Sequence, residues 1–86
     1  YTTLFRSGMA DDGIARAVRP AHTAVDGDLV FALATGRRQS TMTTSTLGAL
    51  AADVVARAIV RAVFFATPAA GLPSARELAA QRLVEQ

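Results

Sequence analysis

The chain has 86 residues, 51% hydrophobic, with no cysteine and a formal charge of +2, and all nine of its basic residues are arginine. That length allows at most one small domain of marginal stability, and the missing cysteines exclude both a disulfide framework and a thiolate metal site to reinforce it, while fitting a cytoplasmic protein. The arginines are scattered apart from Arg37-Arg38, which excludes the basic stripe of a nucleic-acid binder.

Residues 1–7, Tyr1-Thr2-Thr3-Leu4-Phe5-Arg6-Ser7, read like a translated sequencing-library adapter and are set apart from residues 8–86. From Met9 the sequence turns helical. Ala10, Ile14, Ala17 and Val18 fall at i, i+4, i+7 and i+8, one face of a helix, with Asp12 and Arg16 as an i,i+4 pair outside it. Pro20 pushes Arg19 away from helical dihedrals and ends the element. Gly13 inside this helix costs about 1 kcal/mol relative to alanine, and close packing against a neighbour would explain it.

A loop over Pro20 to Val25 carries His22, the only histidine. With no second His or Cys beside it, a zinc site is excluded and a structural or solvated role is expected. Asp26-Gly27-Asp28 follows, and then the apolar run Leu29-Val30-Phe31-Ala32-Leu33-Ala34. Such a run predicts a strand over Asp28 to Thr35 that is covered on both faces. Its donors and acceptors would need partners on both edges, and no second convincing strand exists in the chain. The strand is therefore expected to belong to a larger domain.

Gly36 to Ser45 is a polar loop, and Thr44, Ser45 or Thr46 can cap the next helix. Ser40 to Thr46 offers hydroxyls but no adjacent base to activate one, so capping and solvation are expected there. Leu47 to Ala66 has nearly the length of a membrane span, but it contains Asp53, Arg57 and Arg61. Three central charges at roughly +2.5 to +3.5 kcal/mol each outweigh the apolar residues at about −0.3 to −0.6 each. The three charges lie four apart and form one narrow stripe, which predicts a mostly buried helix ending before Thr67-Pro68. Ile59 to Phe65 is rich in β-branched and aromatic residues, yet the stripe continues through it in helical phase. Finally, Ser74 and Glu77 have the S-x-x-E spacing of a capping box and open a short helix to Val84.

Asp26 and Asp28 are the residues best suited to chemistry. In an extended backbone, one glycine between them turns both side chains to the same side and leaves the approach open. Such a pair can hold an ammonium, bind a cation or share a proton. The same letters also read as a solvated Asp-Gly turn before a strand. A calcium loop is excluded, because the further oxygen ligands and terminal Glu are missing.

The residues Met9-Ala10-Asp11-Asp12-Gly13-Ile14-Ala15-Arg16-Ala17-Val18-Arg19-Pro20-Ala21-His22-Thr23, continuing through Asp26-Gly27-Asp28 to Gly36, resemble the C-terminal part of a hydrolase family. It is the family of the L-aminopeptidase D-Ala-esterase/amidase, the β-peptidyl aminopeptidases and the endo-type nylon-oligomer hydrolase, and the resemblance is closest to the last. It covers Met9 to Gln86 and is strongest up to Gly36. Members are precursors that cleave themselves to expose an N-terminal Ser or Thr nucleophile, whose own α-amino group can act as base.

The resemblance implies an α+β fold, with residues 8–86 forming the C-terminal part of the nucleophile-bearing subunit in an αββα sandwich: one buried central strand and three helices. It places Asp26 and Asp28 beside the nucleophile, which would lie upstream of Met9; Thr2 and Thr3 lack the apolar strand that should follow it. Implied partners are the remaining N-terminal part of the precursor (the large subunit), further copies of the processed heterodimer, and a peptide or oligoamide substrate. No cofactor, metal, nucleic acid or membrane is implied. The competing expectation is a small helical interaction module that binds a partner through the apolar helix Leu47 to Ala66.

Overall fold

The computed structural model describes residues 2–39 and 41–85; Tyr1, Ser40 and Gln86 lie outside the described residues. It contains α1 (Thr2–Ala17), α2 (Thr44–Phe65) and α3 (Ala75–Glu85). Among the described residues there is no strand, and the one β pairing is an isolated antiparallel bridge between Ala69 and Leu72. The fold is all-α, which overturns the expected α+β sandwich with a buried central strand.

The expected strand, Asp28 to Thr35, has neither helix nor sheet geometry, and Phe31 and Leu33 are each 91% exposed. The physical reason is the missing ladder: a run of buried-strand composition cannot become one when no neighbouring strand takes up its backbone donors and acceptors.

α2 and α3 sit close to their expected positions, whereas α1 starts well before the expected Met9. α1 ends at Ala17, two residues short of Arg19, and its start at Thr2 takes in residues that the sequence set apart. α2 is capped one position earlier than expected, by Thr43. Its hydroxyl accepts a hydrogen bond from the Thr46 amide at 3.2 Å and donates one to the Thr46 hydroxyl at 2.9 Å. In α3 the Ser74 hydroxyl accepts from the Glu77 amide at 3.3 Å, as the S-x-x-E spacing predicts.

α1 and α2 make the main contact of the chain, and glycines set its distance. A Cβ at Gly13 would run into the Ala52 carbonyl oxygen and stand 2.8 Å from Val55 Cβ, and one at Gly48 would run into Met9. Gly13 therefore has the close packing that its cost in a helix implied. The pairs Met9 with Gly48 and Gly13 with Ala52 advance by four residues on both helices, so α1 and α2 run in the same direction. The small core, Ala10 and Ala52, lies along this seam.

Two parallel helices need a connection that travels back along their length. For the 16 residues of α1 that is about 24 Å. Residues 18–43 make this return, and they carry His22, Asp26 and Asp28.

Outside the seam the chain is open. Its radius of gyration is 16.9 Å, against about 12 Å for a compact domain of this length. The expectation that most of α2 is buried fails: only Gly48 and Ala52 are buried in it, and Val54, Val60, Val63, Phe64 and Phe65 are exposed. α1 covers one narrow side of an apolar cylinder. No described helix is long and apolar enough to cross a membrane.

At the α2–α3 corner, Ala69 and Leu72 exchange both backbone hydrogen bonds, at 3.2 and 2.9 Å. Ala70 and Gly71 between them have φ of +52° and +78°, the signature of a two-residue type I′ turn. Arg76 crosses the corner to lie 5.7 Å from the Phe64 ring centroid, and Phe64 meets Phe65 edge-on at 5.1 Å.

The seam and the cap each give a test. Gly13→Ala should lower the melting temperature followed by helical circular dichroism, because overpacking of about 1–3 kcal/mol exceeds the gain of about 1 kcal/mol in helix propensity. Gly8→Ala, in the same helix with nothing within 4 Å of the new methyl group, should raise it by the propensity gain alone. Equal shifts for the two would mean that the seam is not this tight. Ser74→Ala should cost about 0.5–2 kcal/mol through loss of the α3 cap, seen as reduced ellipticity at 222 nm.

Candidate active site

The acidic pair stands on the return connection just after a turn. The Asp26 amide donates to the Thr23 carbonyl at 3.0 Å, which closes residues 23–26 into a β-turn. Asp26 is the last residue of that turn, and Ala24 and Val25, not Asp26 and Gly27, are its central pair. Asp26, Gly27 and Asp28 are all exposed, and nothing lies within 4 Å of a Cβ built on Gly27. Two carboxylates with an open approach between them can receive a cationic or hydroxyl-bearing group from outside the chain. Among the described residues, no group of three or more His, Asp or Glu side chains is placed to hold a metal ion.

His22 has a definite partner. Its Nε2 lies 3.1 Å from Asp11 Oδ2, with the two side chains 41% and 35% exposed. The other Asp11 oxygen, Oδ1, is buried and has no hydrogen-bond partner. His22 also has φ of +56°, a left-handed conformation that costs an L-residue roughly 1–2 kcal/mol.

The pair was not legible in the sequence because its members are eleven positions apart and on different elements. The available signal was Pro20. A chain turned back at the end of a helix brings its next few residues over the last two helical turns, where Asp11 lies.

The remaining candidates are not brought to the acidic pair. Thr43 and Thr46 are engaged in capping α2, and Arg37 and Arg38 are exposed on the connection. Asp53 and Arg57 pair with each other on α2 at 3.3 Å, an exposed i,i+4 contact worth about 0.3–0.5 kcal/mol. A shallow groove of about 380 Å³ beside the α1–α2 seam is lined by Arg16, Ala17, Ala56, Arg57, Val60 and Arg61.

Residues 6–76 match the profile of peptidase family S58. An uncharacterized aminopeptidase of Mycobacterium tuberculosis is 44% identical over 82 residues, covering 80% of this chain and 24% of the relative. One from Mycobacterium leprae is 46% identical over 78 residues, covering 76% of this chain and 22% of the relative. The chain thus spans about a quarter of the length of the curated relatives it matches. No solved structure matches it. The family match takes in α1 from Arg6 onward, the return connection with its acidic pair, and α2, and the chain belongs to peptidase family S58.

Proposed function

We propose that these residues are part of the nucleophile-bearing subunit of a self-processing aminopeptidase or amidohydrolase that cleaves amide bonds in peptides or oligoamides. The observation that carries this reading is the exposed Asp26-Gly27-Asp28 with its open approach, in a chain of a peptidase family. An N-terminal Ser or Thr supplied by the same polypeptide would meet the two carboxylates there. When its α-amino group takes the proton from the hydroxyl, an ammonium forms. One carboxylate holds that ammonium and the other orients the hydroxyl.

The charge appears only as the reaction proceeds, so its stabilisation lowers the barrier instead of merely tightening binding. The rest of the polypeptide, including the large subunit, covers the exposed apolar side chains of the connection and of α2, and processed heterodimers assemble further. Residues 1–5 stand outside the family match on which this reading rests.

A second reading, a helical interaction module without catalysis, draws on the exposed apolar face of α2. The same face is accounted for by cover from the rest of a peptidase, and the family match over residues 6–76 favours that account.

Two experiments check the proposal. The purified 86-residue chain should hydrolyse no amide substrate; hydrolysis that disappears when both carboxylates are removed would overturn the view that the nucleophile comes from elsewhere. In the full-length polypeptide, the double variant Asp26→Asn, Asp28→Asn should lose about 10²- to 10³-fold in kcat or more, the usual cost of removing a preorganised electrostatic group. Activity within a few-fold of the parent would remove the acidic pair from the mechanism.

A further inference from the structure

The acidic pair lies on a connection with few anchors of its own, and one contact shortens the free path to it. Asp28 is eleven positions beyond the end of α1 at Ala17 but six beyond His22. At about 3.3–3.6 Å per residue, fixing His22 reduces the greatest reach of Asp28 from its last anchor from roughly 36–40 Å to about 20–22 Å. The β-turn from Thr23 to Asp26 begins at the very next residue. The side chain that fixes His22 is Asp11, at 3.1 Å, on the well-packed α1. His22 holds a left-handed backbone while making this contact, as residues do where surrounding interactions over-determine a conformation.

We propose that His22 is the positioning residue of the site: by holding Asp11 it seats the Thr23–Asp26 turn against α1 and so fixes where the Asp26 and Asp28 carboxylates stand. Asp11 is its anchor. One Asp11 oxygen is committed to the imidazole and the other is buried without a partner, so the carboxylate has no alternative ligand to replace His22 when it is removed. This assignment rests on the proposed catalytic role of Asp26 and Asp28.

The test separates the two. In the ¹⁵N-labelled 86-residue chain, backbone order parameters of Asp26 and Gly27 measured by NMR relaxation should fall in His22→Ala from rigid values near 0.85 toward the flexible range below about 0.6. His22→Gln, which keeps a donor for Asp11, should restore them at least in part. Unchanged order in His22→Ala would overturn the tether, whatever the function of the acidic pair.

In the full-length polypeptide, His22→Ala should lower kcat about tenfold to a hundredfold, the loss that a displacement near 1 Å produces, with KM altered less than about twofold. Asp11→Ala should cost a similar factor alone and little more on top of His22→Ala, because both break one contact. Additive losses, or a loss matched by a fall in the folded fraction, would overturn positioning through this pair. If the NMR tether holds and Asp26→Asn, Asp28→Asn leaves activity intact, the proposed function fails and the positioning role fails with it, while the tether itself stands.

Discussion

Everything else in this chain follows from the absence of two side chains. Gly13 and Gly48 let α1 and α2 approach until backbone meets side chain, and with a methyl group at Gly13 the Ala52 carbonyl would force the helices apart. Contact at that range sets the register, Met9 on Gly48 and Gly13 on Ala52, and with it the parallel direction of the two helices. Parallel helices leave a return journey to the intervening residues. That journey is why a long irregular segment exists at all, and why the acidic pair and His22 lie on it. The hydrophobic core is correspondingly slight, with Ala10 and Ala52 buried and the larger apolar side chains along α2 exposed. Small residues give such a seam its closeness and dispersion contact while removing little apolar area from water.

The helices were legible because their signals are local. Apolar spacing marked α1, the four-apart stripe of Asp53, Arg57 and Arg61 marked α2, Pro20 and Pro68 marked ends, and Ser74 with Glu77 marked the start of α3. The α2 cap was misplaced by one position, since Thr43, Thr44, Ser45 and Thr46 are chemically equivalent caps and only the backbone decides among them: Thr43 has the extended φ and ψ of −68° and 156°. The segment after Asp28 failed for the opposite reason. Its composition reports how a strand would be buried, but a strand is defined by partners, and the described residues supply none. The burial of α2 was overestimated on similar grounds. An apolar periphery says that a helix has much to cover, not that its own chain is large enough to cover it.

The acidic pair was legible as chemistry and not as geometry. Two carboxylates one glycine apart make a candidate site with a defined charge and an open approach, and the structure keeps both carboxylates exposed on a turn-led loop. What local pattern could not reveal is which residue governs their placement, because the Asp11–His22 contact joins positions that no periodicity links. In the proposed function the chain contributes negative charge to a reaction whose attacking atom is supplied by another part of the polypeptide. Catalytic labour of this kind depends on where charge stands to within about 1 Å, so the few contacts that immobilise the connection matter more than their modest individual strengths suggest.

The corner between α2 and α3 is built differently from the seam between α1 and α2. A two-residue reversal with φ of +52° and +78°, closed by a reciprocal pair of backbone hydrogen bonds, sets the heading of α3, while the helix itself has no buried residue. Its direction is fixed by backbone geometry, with almost no contribution from side chains packed upon it. A surface that docks on α3 would meet an arm already aimed. It would have to order side chains but not a wandering segment, and the entropy usually lost on association would be reduced before the encounter begins.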